Sequence, residues 1–267
     1  MSGHLNGAVR RRVERHRAHD DGMAEDWVAA EVPLAIDYND APHVVMMATP
    51  DDLADFALGF SLSEAVIATP AELNSCTATT LLEGIRLSLR IPPARAQALA
   101  QRRRNLVGNS GCGVCGTQHL EDVLRHPPRV AAAIAVSEVA LQRALAELEH
   151  RQPLNALTGA THAAAWARAD GSLAHVREDV GRHNALDKLI GAVARAGDDV
   201  RTGFLVVTSR ASYEMVQKAA TVGIGFIAAI SAPTALAIHL ADATGITLVG
   251  FARDDGHVVY ARRSTED

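Results

Sequence analysis

Residues 203–252 read GFLVVTSRASYEMVQKAATVGIGFIAAISAPTALAIHLADATGITLVGFA. Short apolar runs alternate here with longer segments in which apolar residues recur every three or four positions. The first pattern is typical of buried strands and the second of amphipathic helices. The predicted elements are strands at 203–208, 226–230 and 246–252 and helices at 212–222 and 233–243. Strands that alternate with helices predict a largely parallel sheet covered by helices, and therefore an α/β fold.

The same patterns predict further elements upstream. A helix is expected at 182–196 and strands at 161–168 and 173–177. Alternation between residues 27 and 48 predicts a β-hairpin. Thr49, followed by a proline and two aspartates, predicts the N-cap of the helix that comes next.

Three parts of the chain are predicted from these changes in pattern. Residues 1–26 are rich in Arg, His, Asp and Gly without an apolar period, which indicates a flexible polar tail. Residues 27–130 form a smaller N-terminal α+β region that ends in a cysteine-containing loop, and residues 131–267 form the α/β core, a mixed sheet covered by helices.

Composition excludes several classes of protein. With 267 residues, 48% of them hydrophobic and 21% charged, the chain is long enough and apolar enough to bury a core. A net charge of −5 leaves no basic surface for nucleic acid, so no nucleic-acid partner is expected. Only three cysteines occur, which suits a reducing compartment. We expect a cytoplasmic protein.

One uncharged stretch, residues 219–241, is long enough to cross a membrane. It contains Gly223, Gly225, Pro233 and His239, which fit a buried strand, a turn and a helix better than a membrane span. No membrane association is therefore expected.

Two of the three cysteines lie in the loop 108–116, where Cys112 and Cys115 are separated by two residues and flanked by glycines. Glycines leave the sulfur atoms uncrowded, and a thiolate is the reactive form of cysteine. The spacing leaves three interpretations open: a dithiol redox couple, half of a zinc site, or a sulfur-carrying nucleophile with a neighbour. Cys76 is expected to be a small buried side chain.

Two other motifs in this region are rejected. Gly111, Gly113 and Gly116 match a dinucleotide fingerprint, but no strand precedes them. His119 and Glu121 match part of the zinc-deaminase pattern, but they follow the cysteine pair instead of preceding it.

A second group of polar residues spans Glu178–Lys188 and includes His183. Beyond the next predicted strand, Ser209, Arg210 and Ser212 stand where a helix begins. Free N–H groups, hydroxyls and a guanidinium at such a point form a natural phosphate site. The alternatives are that Ser212 only caps the helix and that Arg210 pairs with Glu214.

Several long segments follow one another in a specific order. They are Cys112-Gly113-Val114-Cys115-Gly116, Thr158-Gly159-Ala160-Thr161-His162-Ala163-Ala164, Glu178 to Lys188, Ser209 to Val216, Ser231-Ala232-Pro233-Thr234 and Leu248-Val249-Gly250-Phe251. In content and order they resemble the formate dehydrogenase accessory sulfurtransferases, the FdhD family. The resemblance covers the chain from Glu31 to Tyr260.

The resemblance implies a core similar to cytidine deaminases and a homodimer. It implies a protein that accepts sulfur as a persulfide from a cysteine desulfurase. That sulfur passes to the bis-molybdopterin guanine dinucleotide molybdenum cofactor before the cofactor enters formate dehydrogenase. The persulfide carrier of the family matches Cys112, and its cofactor-contacting segment matches Phe251-Ala252-Arg253-Asp254-Asp255-Gly256. No permanently bound metal is expected.

One part of this segment fits an anionic cofactor poorly, because Asp254 and Asp255 outnumber Arg253. Phosphate contacts are therefore expected at Ser209, Arg210 and Ser212, and His183 is a further candidate for contacting the cofactor.

The catalytic residues expected from the resemblance are Cys112 and Cys115. The Cys112 thiolate attacks the desulfurase persulfide and later presents the sulfur to molybdenum. Cys115 either resolves the persulfide as a disulfide or assists. The competing hypotheses are a zinc-binding, deaminase-like hydrolase and a non-catalytic chaperone of the cofactor.

Overall fold

The computed structural model describes residues 7–17, 20–107, 127–131, 134–253 and 256–263. It confirms the α/β class. The strands are β1 (Ala8–Arg17), β2 (Asp20–Ala29), β3 (Val32–Tyr38), β4 (Ala41–Ala48), β5 (Ser75–Leu81), β6 (Gly84–Arg90), β7 (His162–Arg168), β8 (Leu173–Asp179), β9 (Gly203–Val207), β10 (Phe226–Ala229), β11 (Thr247–Arg253) and β12 (Gly256–Ala261). The α-helices are α1 (Leu53–Ser63), α2 (Pro93–Val107), α3 (Glu138–Glu149), α4 (Pro153–Thr158), α5 (Arg182–Ala196), α6 (Tyr213–Val222) and α7 (Ala235–Thr244).

The first two strands correct the prediction for the N-terminus. β1 and β2 form an antiparallel ribbon in which Ala8 lies opposite Ala29 and Arg17 opposite Asp20. The prediction of a flexible tail is wrong for this part of residues 1–26. The ribbon carries charges that face each other across the strands, such as Arg10 and Glu25 with 3.0 Å between side-chain N and O. It therefore lacks the apolar alternation by which strands are recognised.

A four-stranded sheet in the order β4-β3-β6-β5 follows. Alternate residues of β3, among them Leu34 and Ile36, are fully buried. They pack with Phe56 of α1 and Leu87 of β6 in one apolar cluster. Period-two burial is what a sheet with one covered face requires.

The second half of the chain forms a six-stranded sheet in the order β12-β11-β10-β9-β7-β8. β9, β10 and β11 are parallel, whereas β7, β8 and β12 run antiparallel to their neighbours. Leu205 and Val207 face α5, α6 and α7, and Phe204 and Val206 face α3. Both faces of the central strands are therefore covered, which explains their continuous apolar runs.

Most predicted boundaries in this half agree with the structure within two residues, and α5 has the predicted bounds 182–196. The parallel arrangement is limited to three strands, so the sheet is mixed. The proposed domain boundary near residue 130 stays a prediction.

Helices α1 and α5 connect the two halves, and each contains a glycine at the point of closest approach. A Cβ atom on Gly59 would overlap the carbonyl oxygen of Asp187, and one on Gly191 would overlap that of Asp55. Only glycine at both positions lets the two backbones approach so closely.

No helix in the described ranges combines the length and apolarity that a bilayer crossing demands.

Candidate functional site

The site is built on the edge of the six-stranded sheet where the three parallel strands end. Because β7 runs opposite to β9, and β8 opposite to β7, the start of β7 and the end of β8 reach the same edge. We call this the carboxyl edge and define it by residues 161–162, 180–183, 208–212, 230–234 and 251–253. Open α/β sheets bind ligands outside the carboxyl ends of their strands.

Main-chain hydrogen bonds hold the loops of the carboxyl edge side by side. The Thr234 N–H donates to the Ala211 carbonyl at 3.0 Å, and the Phe251 N–H donates to the Ser231 carbonyl at 3.3 Å. Gly250 permits this contact, because a Cβ atom there would lie 2.7 Å from the Cδ of Pro233. The predicted segments after β9 and in β11 are therefore neighbours in the structure.

The structure also brings His183 to Ser212. His183 lies in the first turn of α5, and its Nε2 is 3.4 Å from the Ser212 hydroxyl oxygen and 3.8 Å from Glu214 Oε2. Ser212 occupies the N-cap position of α6, but its hydroxyl makes no capping hydrogen bond, which argues against the alternative that Ser212 only caps the helix. The hydroxyl faces the imidazole instead.

Burial lowers the pKa of His183, and the charge of Arg182 lowers it further. The imidazole is therefore neutral at neutral pH. Burial opposes ionisation of Glu214, yet hydrogen bonds from its own backbone and from the Ser212 hydroxyl hold the pKa of that carboxyl below its usual range. A neutral imidazole, a hydroxyl and a carboxylate thus meet at this point.

The other two residues of the predicted phosphate site have different surroundings. Ser209 is buried, and its hydroxyl donates to the Arg210 carbonyl at 3.0 Å. Arg210 is exposed, and within the described part of the chain it forms no ion pair with Glu214. Arg210 is therefore open to solvent at the edge.

The segment 251–256 begins at the end of β11. Phe251 has a positive φ of 50° and a side chain that is 41% exposed. A non-glycine residue in the left-handed region is uncommon and often marks a functional position. Ala252 is buried, Arg253 is exposed, and Gly256 starts β12. Asp254 and Asp255 lie outside the described residues.

Both predicted catalytic cysteines, Cys112 and Cys115, lie outside the described residues as well. Cys76 is described: it is in β5 and packs against the apolar cluster of the N-terminal sheet. Burial raises the pKa of the Cys76 thiol, which disfavours the nucleophilic thiolate. Among the described residues, no three His, Cys, Asp or Glu side chains are grouped to hold a metal ion.

Most charged residues of the 178–188 segment point away from the carboxyl edge and support the fold. Lys188 Nζ lies 2.8 Å from Asp179 Oδ2, with both side chains fully buried. Glu178 accepts hydrogen bonds from the Leu154 and Asn155 N–H groups.

Thr49 belongs to the same network. Its hydroxyl accepts from the Val180 N–H at 3.1 Å, and its carbonyl accepts from Lys188 Nζ at 3.0 Å. The predicted cap at Thr49 is therefore wrong, because α1 begins at Leu53 with Asp52 as its N-cap. The Thr49 hydroxyl makes a contact between the two halves of the molecule instead of starting a helix.

Two residues of the carboxyl edge were missed as site residues. Arg182 begins α5, and its buried Nε has no hydrogen-bond partner in the described structure. His162 begins β7, and burial, followed by the charge of Arg182, lowers its pKa. Both lie in segments noted for the family resemblance, but nothing in the local pattern distinguishes them from residues that support the fold.

Comparison with known proteins agrees with this architecture. The sequence profile of the FdhD/NarQ family matches residues 29–265. A relative from Xanthomonas campestris pv. campestris (strain B100), named Sulfur carrier protein FdhD, is 60% identical over 255 residues, which are 96% of this chain and 91% of the relative. A relative of the same name from Cupriavidus necator is 51% identical over 249 residues, 93% of this chain and 86% of the relative.

A solved structure has the same fold. It is described as the crystal structure of a putative formate dehydrogenase accessory protein from Desulfotalea psychrophila, with a TM-score of 0.73 and 24% identity over 97% of this chain and 98% of that one. Together with the match of the family profile over residues 29–265, the identity to the relatives decides the classification. The chain belongs to the FdhD/NarQ family.

Proposed function

We propose that this protein is a sulfur carrier for formate dehydrogenase. It accepts sulfur from a cysteine desulfurase and delivers it to the bis-molybdopterin guanine dinucleotide molybdenum cofactor, its substrate, before that cofactor enters the enzyme. The observation that carries the proposal is the 60% identity, over 96% of the chain, to a protein named as a sulfur carrier. Pairing as a homodimer stays a prediction.

Cys112 is the proposed carrier. Its thiolate attacks the outer sulfur of the desulfurase persulfide, an S–S bond forms on Cys112, and the desulfurase cysteine leaves as a thiolate. The transferred sulfur keeps its oxidation state, so the step needs no outside oxidant or reductant. The choice of Cys112 is supported by its glycine-flanked position and by the partly buried environment of Cys76, the alternative thiol, which raises the pKa of the Cys76 thiol.

Delivery as sulfide requires two electrons, which Cys115 can supply. Its thiolate attacks the Cys112 sulfur, hydrosulfide leaves toward molybdenum, and a disulfide between the two cysteines remains. A dithiol reductant must reopen that disulfide before the next cycle.

We place the cofactor at the carboxyl edge. Phe251, Ala252, Arg253 and Gly256 lie at the end of the β11 strand and the start of β12, and the loop that contains Ser209, Arg210 and Ser212 lies beside them through the contacts with residues 231–234. Ala252 can contribute only its backbone, since its side chain is buried in the core.

The test combines intact-mass analysis with activation of formate dehydrogenase. After incubation with a cysteine desulfurase and cysteine, the wild-type protein should gain the mass of one or more sulfur atoms and activate the enzyme. Cys112→Ala should gain none and fail to activate, because the nucleophile is absent. Cys76→Ala is the matched control and should behave as wild type.

Full activation by Cys112→Ala would contradict the carrier role. If the double variant Cys112→Ala/Cys115→Ala also activates, the protein holds the cofactor without transferring sulfur. Stoichiometric zinc that is lost on Cys112→Ser would instead favour the zinc-binding hydrolase.

A further inference from the structure

The guanidinium of Arg182 contains a buried donor that the contacts within the described residues do not explain. Its Nε is buried and has no hydrogen-bond partner there. No carboxylate in the described ranges lies within ion-pair distance of it, whereas Arg177 and Arg195 both pair with Asp55, at 2.6 and 2.7 Å. Buried N–H groups are almost always paired, so an unpaired one indicates a missing partner.

The position of Arg182 in the helix gives a second reason to expect a bound anion. It is the first residue of α5, and the first turn of that helix contains no acidic residue. The helix dipole places partial positive charge at this end, so a guanidinium there is electrostatically unfavourable unless an anion is bound. The nearby acids in the chain are occupied: Asp179 by Lys188, and Glu178 by backbone N–H groups.

Further hydrogen-bonding groups lie in the neighbouring segments of the carboxyl edge. His162 lies opposite Asp179 in the β7–β8 register, and His183 follows Arg182 directly. Ser212 approaches His183 from the start of α6, with 3.4 Å between hydroxyl oxygen and Nε2.

One carboxylate also faces this group from α6. Glu214 Oε2 lies 3.8 Å from His183 Nε2 and its side chain is 57% exposed, but it does not pair with Arg182. The guanidinium therefore keeps its charge available for a ligand.

We propose that Arg182 binds a phosphate-type oxoanion at the carboxyl edge, assisted by His162 and His183. A guanidinium presents two parallel N–H donors that match phosphate geometry, and each imidazole can donate one more. The inference rests on the proposed function, because a guanine dinucleotide cofactor carries a pyrophosphate. It assigns that pyrophosphate to the partly buried Arg182, where the sequence had suggested the exposed Arg210.

The experiment is calorimetric titration of inorganic pyrophosphate and of GDP into the full-length protein and its variants. Arg182→Met keeps most of the side-chain length and removes the charge and the donors. It should weaken binding of both ligands by about ten- to a hundredfold, the range of a charge-assisted hydrogen bond. Arg168→Met, at the exposed end of β7 on the opposite edge of the sheet, is the matched control and should bind as wild type.

Arg182→Lys is a second variant that keeps the test valid if Arg182→Met does not fold. It retains the positive charge but lacks the two parallel donors of the guanidinium. Its affinity should fall between those of wild type and Arg182→Met. Equal affinity of wild type and both Arg182 variants would overturn the assignment, as would a loss for GDP but not for pyrophosphate. A wild-type protein that binds neither ligand would also overturn it, while persulfide formation on Cys112 would still decide the proposed function.

Discussion

The stretch of residues 178–188 contributes charged side chains both to the interior of the molecule and to the carboxyl edge, and the two sets have opposite surroundings. In the interior, Lys188 lies 2.8 Å from Asp179, and Asp187 lies 2.9 Å from Lys218. At the edge, Arg182 has no partner among the described residues. The difference separates residues that stabilise the fold from those that are available to a ligand.

The interior network also includes groups from the N-terminal half. Ser63 of α1 donates to Asp187 at 2.6 Å, and Lys218 contacts both Ser63 and Glu64. A buried charge is tolerated only when it is paired and hydrogen-bonded. The interior charges therefore connect α1 to the sheet that forms the carboxyl edge.

The largest expected effect comes from breaking an interior pair. Lys188→Ala leaves the Asp179 carboxylate buried without its cation, so the free energy of unfolding should fall by about 3–5 kcal/mol. Arg182→Met is the comparison variant and should change it by less than about 0.5 kcal/mol, because no protein contact is lost. Urea unfolding followed by circular dichroism measures both. If both variants lower the free energy of unfolding equally, Lys188 and Arg182 do not differ in their contribution to the fold, and the distinction between interior and edge charges is wrong.

A smaller effect is expected at the contact between α1 and α5. Gly191→Ala adds a methyl group where the carbonyl oxygen of Asp55 already lies. The helices must separate, so the free energy of unfolding should fall by about 1–3 kcal/mol despite the better helix propensity of alanine. Gly59→Ala, which probes the same contact from the other helix, should act in the same direction. An Ala variant as stable as wild type would show that the contact is looser than described.

The smallest expected effect is on the pH dependence of the unfolding free energy, and it comes from the histidines of the carboxyl edge. Burial lowers the pKa of His162 and of His183 in the folded protein. The unfolded chain therefore binds more protons, and the stabilising contribution that is present above the usual histidine pKa of about 6.5 is lost as pH falls below it. His183→Gln should flatten the dependence of unfolding free energy on pH in that window.

The matched control for this pH measurement is the exposed His150→Gln. An unchanged pH slope in His183→Gln would contradict a neutral, partly buried imidazole at the edge. Repeating the titration with His162→Gln shows how the effect divides between the two imidazoles.

Local sequence patterns predicted most of the core. The bounds of α5 follow from its apolar period and from Gly197, which ends the helix in a left-handed conformation with φ of 76°. The strands β9, β10 and β11 follow from apolar runs, because strands covered on both faces have no polar positions. The β1–β2 ribbon was missed for a different reason: charged residues interrupt its apolar ones, so no apolar period is visible.

Which side chains share the carboxyl edge was partly predictable, because the ends of consecutive parallel strands meet at one edge. The sequence indicated Ser209 and Ser212 from the helix that begins there, and the family resemblance indicated Phe251. The approach of His183 to Ser212 depends on how α5 and α6 pack, which neither segment encodes alone.

The sequence by itself determined the α/β class, the helices and strands of the second half, and the family to which the chain belongs. Each of these depends on local periodicity or on short motifs and their order along the chain. Only the tertiary structure decided that Lys188 is paired and Arg182 is not, because the arrangement depends on groups distant along the chain, such as Thr49, whose N–H donates to Asp179 and whose carbonyl accepts from Lys188. A charge has the same local sequence signature whether it stabilises the core or is available to a ligand.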